Sequence, residues 1–217
     1  LSIKENIDQI KSKISKDTVL IAVSKTRSIE EIKEAYDCGI RDFGENKVQE
    51  LIGKIDSLPN DINWHLIGHL QTNKVKYIVG KVSLIHSLDS IKLLYEIEKQ
   101  YKNKNCIANV LIQVNIGREE SKTGILLEDL EELLLSCEKC SNVKIWGLMA
   151  IIPKGSQESC SMYFKKMKKL WDDISLRKFK NIKMKYLSMG MTGDYEIAIK
   201  EGSNMIRIGT GIFGPRK

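Results

Sequence analysis

Two hydrophobic periods take turns along this chain. Short runs rich in apolar and β-branched residues fall near 19–24, 40–43, 63–67, 83–86, 107–114, 143–149, 184–188 and 205–208. Runs of that length and composition predict strands. Between them, stretches at 29–38, 47–58, 91–101, 127–137 and 159–176 carry apolar residues three and four apart. That spacing predicts amphipathic helices packing one face on a sheet. A further helix of the same kind, over 3–14, precedes the first strand. No two-residue hairpin signal joins consecutive strands, so parallel pairing through helical crossovers is expected. Eight such repeats predict an α/β fold, a closed (β/α)8 TIM barrel with an extra N-terminal helix, as a single domain over residues 1–217. The open doubly wound alternative lacks its main support, because no Gly-x-Gly-x-x-Gly follows the first strand.

Composition narrows the setting. With 217 residues, 42% hydrophobic and 29% charged, the chain has enough apolar mass for one sizeable core. Only 3 prolines occur and no Gly/Ser-rich or Pro-rich tract marks a linker. No run approaches the roughly 18 consecutive apolar residues of a membrane span. The first twenty residues lack the apolar core of a secretory signal, so a cytoplasmic location is expected. The odd set of cysteines (Cys38, Cys106, Cys137, Cys140, Cys160) reads as reduced thiols. Cys137-x-x-Cys140 has no second ligand pair, so no metal site is expected. The net charge of +7 comes from dispersed lysines, among them Lys165, Lys166, Lys168 and Lys169 on one helix. Few aromatics interleave with them, which speaks for a solvated face and against nucleic-acid binding. A general attraction for small anions remains.

In such a barrel the chemistry sits at the C-terminal strand ends, with phosphate held by the loops after strands seven and eight. Those loops are glycine-rich: Ser188-Met189-Gly190-Met191-Thr192-Gly193 and Gly209-Thr210-Gly211-Ile212-Phe213-Gly214. Glycines let the backbone approach an anion and hydroxyls donate to it. Either loop alone also reads as an ordinary turn. Lys25, in Ser24-Lys25-Thr26 after the first strand, shares a face with Ile21 and Val23 by strand alternation. A desolvated lysine there can lose its proton and hold an aldehyde as a Schiff base; a solvated strand end is the plainer reading. Arg207, inside the apolar Met205-Ile206-Arg207-Ile208, needs an acceptor. That acceptor is either a structural carboxylate or the ring nitrogen of a bound pyridine. Asn46, after Phe43-Gly44-Glu45, faces a ligand or caps the next helix. His65 and His69 straddle a strand and its turn, which makes His65 a hydrogen-bonded wall residue rather than a metal ligand. Gly117-Arg118-Glu119-Glu120-Ser121-Lys122-Thr123 has the outline of a Walker A loop, but its acids sit where phosphates would lie. It reads as a polar loop at the barrel mouth.

Taken in order, these residues resemble the pyridoxal phosphate homeostasis protein family, whose members are similar to the barrel domain of alanine racemase. The resemblance runs from Ala22-Val23-Ser24-Lys25-Thr26 through Phe43-Gly44-Glu45-Asn46-Lys47-Val48-Gln49-Glu50 and the stretch from Trp64-His65-Leu66-Ile67-Gly68-His69 to Lys74. It continues in Ser121-Lys122-Thr123-Gly124, Gly147-Leu148-Met149, Leu187-Ser188-Met189-Gly190-Met191 and Arg207-Ile208-Gly209-Thr210-Gly211-Ile212-Phe213-Gly214. It implies a fold type III barrel binding pyridoxal 5'-phosphate. Lys25 would hold the cofactor aldehyde, Arg207 would meet the pyridine nitrogen, and Asn46 would lie beside the ring. Ser188, Thr192, Gly209 and Thr210 would bind the phosphate, with Gly190 shaping the loop. Lys47 stands where the family usually has a tyrosine, which removes that ring's contacts. The implied role is a non-catalytic carrier, buffering the cofactor or delivering it to apo-enzymes, with effects on amino-acid and keto-acid balance. The alternative is an amino-acid racemase. That reaction needs a second base from a further domain, for which the chain after strand eight leaves no room, so a monomer is expected.

Overall fold

The computed structural model describes residues 1–215. Its strands are β1 (Val19–Val23), β2 (Asp42–Glu45), β3 (Asn63–Leu66), β4 (Leu84–Leu88), β5 (Ala108–Gln113), β6 (Val143–Met149), β7 (Ile182–Ser188) and β8 (Met205–Ile208). Each pairs in parallel with its neighbours in sequence, and β8 returns to β1 to close the barrel. The helices are α1 (Ile3–Ser12), α2 (Ile29–Asp37), α3 (Val48–Ile55), α4 (Ile91–Asn103), α5 (Leu127–Glu138), α6 (Gln157–Ser175), α7 (Tyr195–Lys200) and α8 (Thr210–Phe213). The expected (β/α)8 barrel with its preceding helix is the observed fold.

Local signals explain most of the element starts. Ser2 with Glu5, and Ser28 with Glu31, form reciprocal capping boxes at α1 and α2. Ser90 and Ser156 cap α4 and α6 through their hydroxyls. Several boundaries shift by up to three residues from expectation, β7 for instance beginning at Ile182 rather than 184, and two regions show why. β2 begins at Asp42 rather than residue 40 and runs on through Gly44 and Glu45, because the ladder to Asn63–Leu66 satisfies a backbone that propensity disfavours. Between β3 and β4 the connection is a 3-10 helix, Thr72–Tyr77, too short to show an apolar period.

The barrel wall sorts its side chains by parity. Outward residues such as Leu20, Ala22, Phe43 and Ile206 join the large core beneath the helices. Inward, Ile21, Leu84, Leu111, Met149 and Met205 form a small separate cluster. That inner cluster fills only part of the lumen, and polar side chains take the remaining inner positions, His65, His86, Ser188 and Arg207 among them. Gly147, at φ +143°, marks a register shift between β6 and β7, where a Cβ would lie 1.8 Å from the Tyr186 carbonyl oxygen.

Lys165, Lys166 and Lys169 lie on the exposed face of α6. Among the described residues no helix is long and apolar enough to cross a membrane. The five thiols are free, and burial pushes the Cys140 thiol up to about 11, so it keeps its proton at neutral pH.

Candidate functional site

The two glycine-rich loops meet at the C-terminal mouth. Thr192, after β7, accepts the Gly211 N–H at 3.1 Å and the Thr210 hydroxyl at 3.3 Å. Thr192 and Thr210 are both exposed there. Gly190 adopts φ +97°, and a Cβ would come within 2.7 Å of Ala198 at the base of the loop, so only glycine fits this turn. Its carbonyl accepts the Arg207 backbone N–H at 3.0 Å, which fastens the first loop to β8. Gly209 packs against Val23, two residues before Lys25. Arg27 binds the loop after β8 from the other side, donating to the Gly214 carbonyl and lying 5.6 Å from the Phe213 ring centroid. The loops after β1, β7 and β8 therefore form one connected rim.

Lys25 occupies the turn after β1 and is half-buried. An ionic cluster outside the barrel wall holds this turn. Lys54, reaching up from α3, donates to the Ser24 carbonyl at 2.9 Å, to Glu45 at 2.8 Å and to Glu50 at 2.7 Å. The Ser24 hydroxyl donates to Glu45 at 2.6 Å, and the Thr26 N–H donates to Glu50. Thr26 sits at φ +64°, a left-handed conformation for a β-branched residue that these contacts hold in place. Burial drives the Glu45 carboxyl above its ordinary value, with Lys54 and Ser24 offsetting part of the rise.

Asn46 follows β2 at the mouth. The N-cap of α3 is Lys47 and carries no side-chain cap, so Asn46 is not spent on capping. Its Oδ1 is buried without a hydrogen-bond partner. A buried acceptor without a partner is uncommon, and a bound ligand or a water can complete it. Gly68 makes the crowding there workable: a Cβ would stand 2.3 Å from the Asn46 carbonyl oxygen.

Arg207 points into the lumen and is buried. Its contacts are neutral, the Ser188 hydroxyl at 2.7 Å and the Ala150 carbonyl at 2.9 Å, rather than a structural carboxylate. Burial lowers its pKa to about 10, so it stays cationic at neutral pH. Two of its five N–H groups are engaged by these contacts. Ser188 is fully buried, its hydroxyl between Arg207 and His86 Nδ1 at 3.1 Å. His86 Nε2 lies 2.9 Å from His65 Nδ1, and His65 Nε2 lies 3.0 Å from Asp42 Oδ1. His65 is thus a hydrogen-bonded wall residue, while exposed His69 pairs separately with Asp89.

Sequence reasoning placed Lys25, Asn46, Ser188, Gly190, Thr192, Gly209 and Thr210 at strand ends or in the loops after them and Arg207 inside strand eight, and the barrel brings all of them to the C-terminal half. It missed His86, Asp42 and Lys54, and it saw the Glu45 carboxylate beside Asn46 without its partners. The alternation of β4 marks His86 as an inner residue beside Leu84, but no local signal names its partners. The Walker-like segment is a polar loop after β5, organised by Asn115 and by a paired Arg118 and Glu128. At the opposite end of the barrel a cavity of about 300 Å³ is lined by Asp42, Asn63, His65, Asn109, Trp146 and Tyr186 among others.

Comparison with known proteins agrees with this fold. The sequence matches the family described as alanine racemase, N-terminal domain, over residues 2–217. It is 47% identical over 200 residues to the pyridoxal phosphate homeostasis protein of Aquifex aeolicus, covering 91% of this chain and 87% of that protein. With the protein of the same name from Escherichia coli K12 it shares 36% identity, over 99% of this chain and 97% of the relative. PipY from Synechococcus elongatus, solved with PLP bound, superposes with a TM-score of 0.90 at 33% identity, over 98% of this chain and 100% of that one. Alanine racemase from Clostridium difficile shares the fold alone, at 15% identity and a TM-score of 0.79 over 57% of its length.

Proposed function

This chain belongs to the pyridoxal phosphate homeostasis protein family, and we propose that it holds pyridoxal 5'-phosphate reversibly at the barrel mouth, for storage or delivery rather than turnover. When bound, this cofactor supplies an aldehyde that an amine can hold, a phosphate and an electron-withdrawing pyridine ring. The observation that carries the reading is the joined rim: both glycine-rich loops meet at Thr192 and Thr210, with the turn that bears Lys25 held by one network through Ser24 and Thr26 and the Arg207 side chain held by another.

In this reading the Lys25 amine makes the covalent attachment, and the ionic cluster beneath its turn fixes where that amine emerges. Thr192, Thr210 and the backbone at Gly190 and Gly209 form the phosphate side, while the Ser188 hydroxyl, expected there from the sequence, is buried between Arg207 and His86 and serves the arginine instead. Asn46, with its orphaned buried oxygen, lies beside the ring. Arg207 donates to the ring nitrogen.

That last contact favours holding over catalysis. Arginine keeps its proton, so a ring nitrogen facing it stays unprotonated and the ring withdraws electrons weakly. A racemase also needs a base opposite the lysine. Tyr186 lines the cavity at the other end of the barrel, and Tyr195 is buried at the start of α7. Both placements support the carrier reading, with the protein acting as a monomer toward apo-enzymes that need the cofactor.

The test is the absorption spectrum of the purified protein with added pyridoxal phosphate, before and after Lys25→Ala. We expect a visible band in the wild type that borohydride fixes onto Lys25 and that the variant lacks. A colourless wild type that takes up no cofactor would sink the proposal. Enzyme-like racemisation of alanine, abolished by Lys25→Ala, would replace the carrier with an enzyme.

A further inference from the structure

The barrel lumen holds a continuous line of polar contacts from one end to the other: Arg207, Ser188, His86, His65, Asp42. Its two ends are chemically unequal. Arg207 has only donors, and the Asp42 carboxylate has only acceptors. Each group between them offers one proton and one lone pair along the line. With both imidazoles neutral, a single arrangement satisfies every contact. Arg207 donates to Ser188, the Ser188 hydroxyl donates to His86 Nδ1, His86 Nε2–H donates to His65 Nδ1, and His65 Nε2–H donates to Asp42. Reversing any one of these bonds requires an imidazolium or leaves a buried lone pair facing another.

We propose that His86, through His65 and Asp42, is a positioning relay that fixes the Ser188 lone pair toward Arg207 and so fixes how Arg207 meets the cofactor's ring nitrogen. The proposal rests on the cofactor reading above. Three further observations bear on it. Arg207 is a buried cation whose two hydrogen-bond contacts are neutral, and the charge that favours it is Asp194, so the line to Asp42 orients the Ser188 hydroxyl rather than neutralising the guanidinium. His86 is sealed from solvent, and burial, with His65 and Arg207 alongside, holds its pKa well below the ordinary histidine value. Ser188 lies on β7, so without His86 its hydroxyl is free to rotate and donate elsewhere, which leaves the guanidinium one fixed contact instead of two.

The relay makes a prediction that needs no cofactor. In the full chain labelled with 15N-histidine at neutral pH, His65 and His86 should both show the Nε2–H tautomer, with and without pyridoxal phosphate. An Nδ1–H tautomer or an imidazolium at either ring would overturn the relay. Substitution then reads its purpose. His86→Leu breaks the line and should weaken cofactor binding about ten-fold, with a shifted absorption band. His86→Gln offers an amide N–H toward His65 and an oxygen toward Ser188, and should restore binding to within about three-fold of wild type. Wild-type affinity and spectrum in His86→Leu would overturn the proposal. If that variant fails to fold, a ten-fold loss in a folded His86→Gln would do so equally. A wild type that binds no pyridoxal phosphate would instead sink the cofactor reading, while the tautomers still judge the relay.

Discussion

Two buried polar networks stand on either side of the same barrel wall, and they are built on opposite principles. Outside, under α3, Lys54 sits directly between two carboxylates, Glu45 and Glu50. Inside, Asp42 and Arg207 are held apart by three hydrogen-bonded groups, His65, His86 and Ser188. The outer network joins charges in contact, so its members stabilise one another and the Ser24–Lys25–Thr26 turn above them. The inner one contains a cation that burial penalises, kept where a ligand can use it. On the proposed reading, one network serves the fold and the other serves binding.

Removing Lys54 should break this comparison most sharply. Lys54→Met leaves Glu45 buried without its cation, and losing one partner of a buried pair costs about 3–5 kcal/mol. Urea unfolding midpoints measure this, and adding Glu45→Gln should recover part of the loss. A loss under about 1 kcal/mol would mean that the outer cluster is not a structural brace.

Arg207→Met should behave in reverse. Trading a buried cation for an apolar side chain removes a desolvation penalty along with two hydrogen bonds, so stability should move by no more than about 1–2 kcal/mol. Cofactor affinity should fall by at least about ten-fold, as befits a lost charge-assisted contact. Titration monitored by absorbance checks the second effect and thermal unfolding the first. Large destabilisation with unchanged affinity would exchange the roles assigned to the two networks.

The outer cluster also predicts a pH signature. The Glu45 pKa is raised in the folded state because burial outweighs its hydrogen bonds, and it returns to the ordinary carboxylate value on unfolding. Between those two values the folded protein binds the extra proton, so this contribution to stability falls as pH rises through the window. Glu50 runs the other way: burial pushes it up, but Lys54 and the Thr26 N–H together bring it below its ordinary value. Its contribution is present above the ordinary value and lost as pH falls. Glutamine does not titrate, so the advantage of wild type over Glu45→Gln should shrink from about pH 4 to pH 7. A widening gap in unfolding midpoints would contradict the assignment.

The smallest effect belongs to the rim. Thr192→Val removes the hydroxyl that accepts from Gly211 and Thr210, at a cost of about 1 kcal/mol or less. Cofactor affinity should drop about five-fold while the unfolding midpoint barely moves. Unchanged affinity would take Thr192 out of the phosphate side.

Much of this architecture is legible in the sequence. The alternating periods gave the strand order, and the glycine-rich strings at 188–193 and 209–214 lie where the barrel puts its loops. Boundaries were less legible. The Gly44-Glu45 end of β2 is strand because β3 pairs with it, not through its own preference. Nothing local in the sequence says that α3 turns Lys54 toward the Ser24 carbonyl.

The sequence by itself determined the barrel, the parity of its inner and outer residues, and the glycines without which the rim loops cannot turn. These follow from short-range physics: side-chain period, capping chemistry and steric freedom. Only the tertiary structure decided which inner residues meet. His65, His86 and Ser188 come from β3, β4 and β7, and His86 and Ser188 are 102 positions apart in sequence. Alternation tells each residue which way to face, but the closure and stagger of the barrel decide what it finds there.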